Sequence, residues 1–277
     1  MQQFGRVIQL IIGSAAESII IDGGLPISFD LTKTITAEPN EATISIINLS
    51  QSTRNLITDK KYNRILLNAG LGNDIRTLFV GYIDEVENTK ESVDITTKMT
   101  CSDGSKDYRE SRTAVTINKG QTDKDIVKQV LKDMPDTGEG IQEFKKDQKL
   151  LRGKTMVGNT RDVLKTVAKN QDADWSVQDG KLLLLPKTSA LANNEGFLIQ
   201  EGTGMIGSPQ KTSDGLEVGC QLNNVLRVGQ LCRISSKIRE NSGDFKITKL
   251  QIRGSNKGSD FLNVLTLQNG QFNEVKK

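Results

Sequence analysis

The sequence predicts a mainly β protein in which a small α/β domain stands between two similar β-barrel or sandwich modules. Three observations carry that reading: a long stretch that occurs twice, alternating apolar and polar runs at both ends, and two capped amphipathic helices confined to the middle. The repeated stretch is Phe79–Gly104, FVGYIDEVENTKESVDITTKMTCSDG, and Phe245–Gly270, FKITKLQIRGSNKGSDFLNVLTLQNG. Aligned without a gap, Phe79 meets Phe245, Val86 meets Ile252, Ile95 meets Phe261, Met99 meets Leu265 and Cys101 meets Leu267. Each copy is two alternating runs joined by a polar turn, the pattern of a long antiparallel hairpin. A duplicated hairpin near each end predicts two related modules.

A chain of 277 residues can bury a substantial core and hold two or three domains. The 37 basic and 34 acidic residues leave a net charge of +3, too even for a protein built mainly to grip nucleic acid. No apolar run approaches the ~20 residues of a membrane span. The run Val7–Ile12 is too short for a secretion signal and reads as a strand, which predicts synthesis in a reducing cytosol. Cys101, Cys220 and Cys232 lie in strand-like runs without CxxC spacing, so buried free thiols are expected. Histidine is absent, which excludes Ser-His-Asp and Cys-His nucleophile systems and His-based zinc sites.

Taken in order, residues 3–12, 18–22, 27–33 and 41–49 read as strands, with Gly23-Gly24 and Glu38-Pro39-Asn40 as turns. Ser50 is placed to cap a short helix through about Ile57. Arg64–Ala69 and the first hairpin complete a module over residues 1–104. In the middle domain, 105–186, Thr122 and Asn159 each precede an Asp three positions on, then apolar residues at i, i+1, i+4 and i+5. The acids suit the positive helix start, and the apolar residues form one buried stripe. Asp136–Leu150 reads as a charged loop, and the Asp179-Gly180 turn joins two apolar runs as a hairpin. The last module, 187–277, opens with a linker over Lys187–Asn194. Strands follow at 197–201, 215–222, 230–236, 244–253 and 261–268, then a frayed tail from Gln271.

No residue here is assigned a catalytic, cofactor-binding or metal-ligating role, and no enzyme is predicted. Gly70-Leu-Gly72 and Gly202-Thr-Gly204 sit outside any strand–turn–helix unit and read as turns, not phosphate cradles. Asp84, Glu85 and Glu87 read as a solvated face rather than a glycosidase pair. Trp175 reads as a packed core aromatic, and Lys145, Lys146, Lys149, Arg152 and Lys154, diluted by Glu143 and Asp147, as a solvated loop.

Three segments resemble one family. Gly158–Ala168 leading to Asp174–Pro186 is similar to the middle segment of phage tail baseplate central hub proteins. The stretches Gly207-Ser-Pro-Gln, Gly215-Leu-Glu-Val, Leu226–Leu231 and Gly243–Lys249 resemble their carboxy-terminal barrel. Phe29-Asp-Leu31 before Ala42–Leu49 resembles their first barrel. The resemblance covers almost the whole chain and implies two tail-tube-like modules in one structural subunit. It implies a homotrimer whose pseudo-six-fold ring adapts a hexameric tail tube to a trimeric central spike, with an axial passage for DNA. Implied partners are the tail tube or tube-initiator protein on one face, the spike on the other, and further baseplate proteins. The implied location is the virion tail baseplate, assembled in the host cytoplasm. Contacts between ring subunits are assigned to Tyr82, Val86, Ile95 and Thr97 on the first hairpin and Lys249, Ile252, Phe261 and Asn263 on the second. The alternatives are a hexameric tube-initiator protein, against which the duplication argues, and a carbohydrate-binding or cell-wall-degrading tail component, which one Trp and no converging carboxylates do not favour.

Overall fold

A computed structural model describes residues 5–145, 148–191, 197–213 and 215–275. The first module runs β1 (Arg6–Gly13), β2 (Ser18–Ile21), β3 (Ile27–Thr34), β4 (Asn40–Ile47), α1 (Gln51–Thr58), β5 (Arg64–Leu71), β6 (Asp74–Glu91) and β7 (Asp94–Asp103). The period of two decides which side faces in: Ile8, Leu10 and Ile12 of β1 are fully buried, while Val7, Gln9 and Ile11 alternate outward. At α1 the Ser50 hydroxyl accepts the Thr53 N–H, as its place before the polar turn predicts.

The middle domain contains α2 (Ser105–Glu110), β8 (Arg112–Ile117), α3 (Asp123–Val130), β9 (Gly138–Gln142), β10 (Lys154–Asn159), α4 (Thr160–Gln171), β11 (Ala173–Gln178) and β12 (Lys181–Pro186). Thr122 and Asp125 form a reciprocal capping box at α3. The stripes foreseen in the sequence meet: Ile126, Val127 and Val130 of α3 share a core with Val163, Leu164, Val167 and Ala168 of α4. Trp175 lies in that core, 6.3 Å from Tyr108. Asp179 and Gly180 both have positive φ, 52° and 75°, the two-residue turn that joins β11 to β12 with matching twist.

The rest of the chain is β13 (Ser189–Leu191), β14 (Phe197–Ile199), β15 (Met205–Thr212), β16 (Gly215–Gln221), β17 (Leu231–Ile234), β18 (Gly243–Ser255), β19 (Phe261–Asn269) and β20 (Asn273–Val275). Three expectations are corrected here. The linker begins with a strand, and the tail from Gln271 is not frayed: β13 and β20 pair in parallel and pack Leu191 and Val275 against Leu185. Residues 192–194 of the expected linker lie outside the described residues. The stretch Asp136–Leu150 includes β9, which joins the edge of β12 in parallel.

The two outer modules share one sheet of 13 strands. Its path is β15-β16-β19-β18-β3-β4-β7-β6-β5-β1-β2, with β17 on β18 and β14 on β17. One apolar core runs beneath it, from Ile8 and Leu10 to Leu265 and Leu267. The middle domain keeps its own core.

Candidate assembly site

Both repeated stretches fold as long hairpins, β6–β7 and β18–β19, each with one bulge in its outgoing strand. The return strands match as the ungapped alignment has them, Met99 with Leu265 and Cys101 with Leu267, all buried. The outgoing strands match two residues off that alignment. The bulge falls at Asp84 in one and Thr248 in the other, so Ile83 corresponds to Ile247 and Val86 to Leu250. An extra residue reverses the side-chain alternation, so the bulge decides which residues face the core.

The far half of β18 is fully paired. Lys249–Ser255 pairs with Thr34–Ser28 of β3, which welds the second module to the first. Arg253 Nε lies 3.1 Å from Asp30, and Gln251 Nε2 donates to both Asp30 oxygens at 3.0 and 3.1 Å. Below, the Phe29 ring lies against Gly254, where a Cβ would come within 2.4 Å of Cζ. The turn after β18 is held as well. Arg6 donates to the carbonyls of Gly258 at 2.6 Å and Ser259 at 2.9 Å, and its guanidinium sits 5.3 Å from the Phe261 ring. Asn256 accepts the Ile27 N–H and donates to the Leu25 carbonyl.

The far half of β6 has no such partner. β5 accompanies β6 only as far as Tyr82. Beyond it, Glu85–Glu91 pairs with β7 alone, and among the described residues no strand covers the other edge. Glu85, Glu87, Asn88, Thr89, Lys90 and Glu91 are exposed, and Val93 at the tip is 85 % exposed. Asn48 braces the start of β7 just after the turn, donating to Asp94 at 2.7 Å and accepting the Ile95 N–H at 3.0 Å.

β15 is the second open edge. Among the described residues it pairs only with β16, and Gln210, Lys211 and Thr212 are exposed. The strands β15-β16-β19-β18-β3-β4-β7-β6 thus form a band that is open along β15 at one end and, at the other, along the half of β6 beyond its pairing with β5. One face covers the core; the other is polar, with Asp30, Thr43, Thr100 and Glu85 in one cross-strand row and Ser45, Lys98 and Glu87 in the next.

Of the residues assigned to ring contacts, Thr97, Ile252, Phe261 and Asn263 are buried within the subunit itself. Tyr82, Val86 and Ile95 are partly exposed and Lys249 is exposed. The sequence reading missed β15 altogether, because Gly207 and Pro209 interrupt its alternation; an irregular register between Ile206 and Gln210 absorbs both.

The middle domain is fastened at the root of the first hairpin. Asp103, at the end of β7, accepts the N–H groups of Asp179 and Gly180 at 2.6 and 3.1 Å, and Lys33 pairs with Asp179 at 2.6 Å. Burial, then the Asp179 charge, push the Asp103 carboxyl up to about 6. At the root of the second hairpin, Lys246 is buried and its ammonium has no hydrogen-bond partner among the described residues. Burial pulls it down to about 8, with Asp174 and Glu143 opposing.

The remaining candidates have structural places. Burial pushes all three thiols up to about 12, which leaves them unreactive. Asp84 is held by Arg109 at 2.9 Å and by Ser102. Lys145, Lys149, Arg152 and Lys154 are exposed, while Lys146 and Asp147 lie outside the described residues. Among the described residues no group of three or more His, Cys, Asp or Glu side chains is arranged to hold a metal, and no helix is long and apolar enough to cross a membrane.

Comparison with known proteins now has a geometry to meet. The family model described as baseplate hub gp41 matches residues 7–266. No curated protein matches the chain. Among solved structures, a tail protein from Neisseria meningitidis MC58 superposes with a TM-score of 0.68 at 10 % identity, covering 96 % of this chain and 97 % of that one. The 43 kDa tail protein of prophage MuSo2 from Shewanella oneidensis gives 0.66 at 10 % identity, with 94 % and 96 % covered. The E. coli c3393 protein gives 0.62 at 10 % identity, with 95 % and 78 % covered. It is described as a component of the type VI secretion system with structural similarity to the T4 tail proteins gp27 and gp5. At these identities the likeness is one of fold.

Proposed function

From the premise that this chain belongs to the baseplate hub gp41 family, a family of phage tail structural proteins, we propose that it acts as a symmetry adapter. Three copies close head to tail into a ring of six similar modules, which joins a hexameric tail tube to a trimeric central spike.

The observation that carries this reading is the pair of open strand edges, along β15 and along the far half of β6. Unpaired strand edges invite further pairing. A head-to-tail contact between unlike edges closes a ring when the rotation allows. The chain contains the template for the contact: β3 sits on the far half of β18, and β15 stands to β16 as β3 stands to β4. Repeating that junction between copies lays β15 on the far half of β6. Carried through the bulges, the register sets Gln210, Lys211 and Thr212 of one copy against Thr89, Asn88 and Glu87 of the next. Four backbone-paired strands from each of six modules then make the ring wall.

The polar face of the band becomes the wall of the passage. On it Asp30, Glu41, Glu85, Glu87 and Glu217 outnumber Lys98, Lys249 and Arg253. A slightly acidic wall rich in Ser and Thr gives phosphates nothing to grip, which suits DNA in passage rather than DNA held. The spike and the tube dock on opposite faces of the ring, and the assembled place of the protein is the baseplate of a virion tail.

Light scattering on the purified chain over a range of concentrations tests the stoichiometry. A mass of three times 30.4 kDa is expected, alone or on adding the tube or spike partner. A six-chain ring would replace this reading with that of a tube initiator.

A further inference from the structure

We infer that the β6–β7 hairpin tip of one copy seats in a cleft beside β15 of the next copy, a contact additional to the strand pairing. The inference rests on the ring reading above and names a surface that reading does not require.

The turn after β18 lies against the start of β3, through Asn256 and Ile27, and is clasped by Arg6 from beside β5. The matching place in the second module is the start of β15. Ile27 pairs with Ile46, and Met205 pairs with Cys220, the residue of β16 that corresponds to Ile46. Leu25 and Met205 both pack, half-buried, on the edge of the same core. In the second module, however, none of the described residues fills the place. It is a cleft of about 340 Å³, lined by Met205, Pro209, Lys237 and Ile238 among others. Beside it Ile206 is 47 % and Ile238 52 % exposed.

The first tip carries what this cleft lacks. Val93 projects from its turn, 85 % exposed, with Glu91 and Asp94 on either side and Ser92 holding the turn at φ 56°. An isolated exposed valine needs no explanation, but an exposed valine at the tip and the exposed Ile206 and Ile238 at a cleft of mixed polar and apolar lining, at positions related by the internal duplication, explain each other. The charges are opposite in sign. The tip carries Glu87, Glu91 and Asp94 against Lys90; Lys237 and Glu201 line the cleft, and Lys211, Arg239 and Glu240 lie in the neighbouring β15 strand and the segment after Ile238. Lys211 and Lys237 already pair within the chain, with Glu240 and Glu201. Glu91 and Arg239 have no ion-pair partner among the described residues, and the seated tip brings them together. The occupant is therefore a second copy of this chain, and each ring would contain the contact once per copy.

The test joins the two surfaces covalently. The double variant Val93→Cys with Ile238→Cys, treated with a short bis-maleimide under ring-forming conditions, should give covalent trimers on a denaturing gel. Either single variant should give none, since the native thiols are buried. A ring of the right mass that yields no cross-linked trimer overturns this contact and leaves the ring reading intact; a chain that stays single, without cross-links, at every concentration and with its partners overturns both. A charge reversal gives an independent reading. Glu91→Arg should weaken ring association about three- to fivefold, the size of one exposed ion pair, and Arg239→Glu in the same chain should restore it. No weakening, or weakening without rescue, counts against the seat.

Discussion

The two hairpins of this protein are the same device in two states of completion. β18–β19 is finished inside the chain: β3 covers its edge, Arg6 holds its turn, and Leu250 and Ile252 under it are buried. β6–β7 has a bulge at the matching place and the same buried return strand, yet its far half has an open edge and Val93 exposed at its tip. The difference lies not in strand propensity but in what the rest of the chain supplies. A duplicated module can satisfy its neighbour once within one chain; in the proposed ring the second satisfaction comes from another copy. The unfinished hairpin thus marks where the molecule continues.

The comparison can be broken most sharply by cutting matched core residues. Leu250→Ala, at a fully buried position, should cost about 3 kcal/mol in denaturant unfolding. Val86→Ala, at its structural counterpart in the open hairpin, should cost under ~1 kcal/mol, because the site is only partly covered. Equal losses would mean that the first hairpin is as complete as the second.

The hairpin roots provide a second contrast, in pH. Asp103 titrates at about 6 in the folded chain against an ordinary value of 3.8, so the fold holds its proton more tightly than the unfolded chain does. Its contribution therefore grows as pH falls through 6 towards 4 and is lost as pH rises. Lys246 is the reverse case, about 8 against 10.5: the folded chain releases its proton first, so stability rises as pH climbs from 8 towards 10. Each window should be worth on the order of 2 kcal/mol. Asp103→Asn should flatten the first and Lys246→Met the second, as read from thermal or urea unfolding across pH.

Arg6→Ala removes the clasp on the second tip and should cost about 1 kcal/mol, with amides near Gly258 exchanging faster. Val93→Ser on the first tip should change the stability of the single chain by less than ~0.5 kcal/mol, since the side chain is mostly exposed.

Much of this was legible in the sequence, for identifiable reasons. The alternation Ile8, Leu10, Ile12 set the inner face of β1, the Ser50 cap set α1, and Asp179-Gly180 set the β11–β12 turn, because each is a local signal with a local cause. The duplication was legible as two hairpins, but the bulges at Asp84 and Thr248 were not. An extra residue in a strand leaves no composition mark, and it moved the match of the outgoing strands by two positions. That is part of why Ile252, aligned with Val86, was assigned to a subunit contact and lies in the core instead. β15 was hidden by Gly207 and Pro209, and β13 and β20 are too short to show a period and exist only because they find each other. The candidate site suffered most, since an open edge is a property of the whole sheet.

The central claim is that the open edges are completed by a neighbouring copy, and amide hydrogen exchange tests it most directly. In the single chain, Glu85–Glu91 and Gln210–Thr212 should exchange rapidly, while Lys249–Ser255, already paired with β3, stays protected. On assembly the first two segments should become as protected as the third. An assembled ring in which Glu85–Glu91 and Gln210–Thr212 still exchange freely would contradict the account.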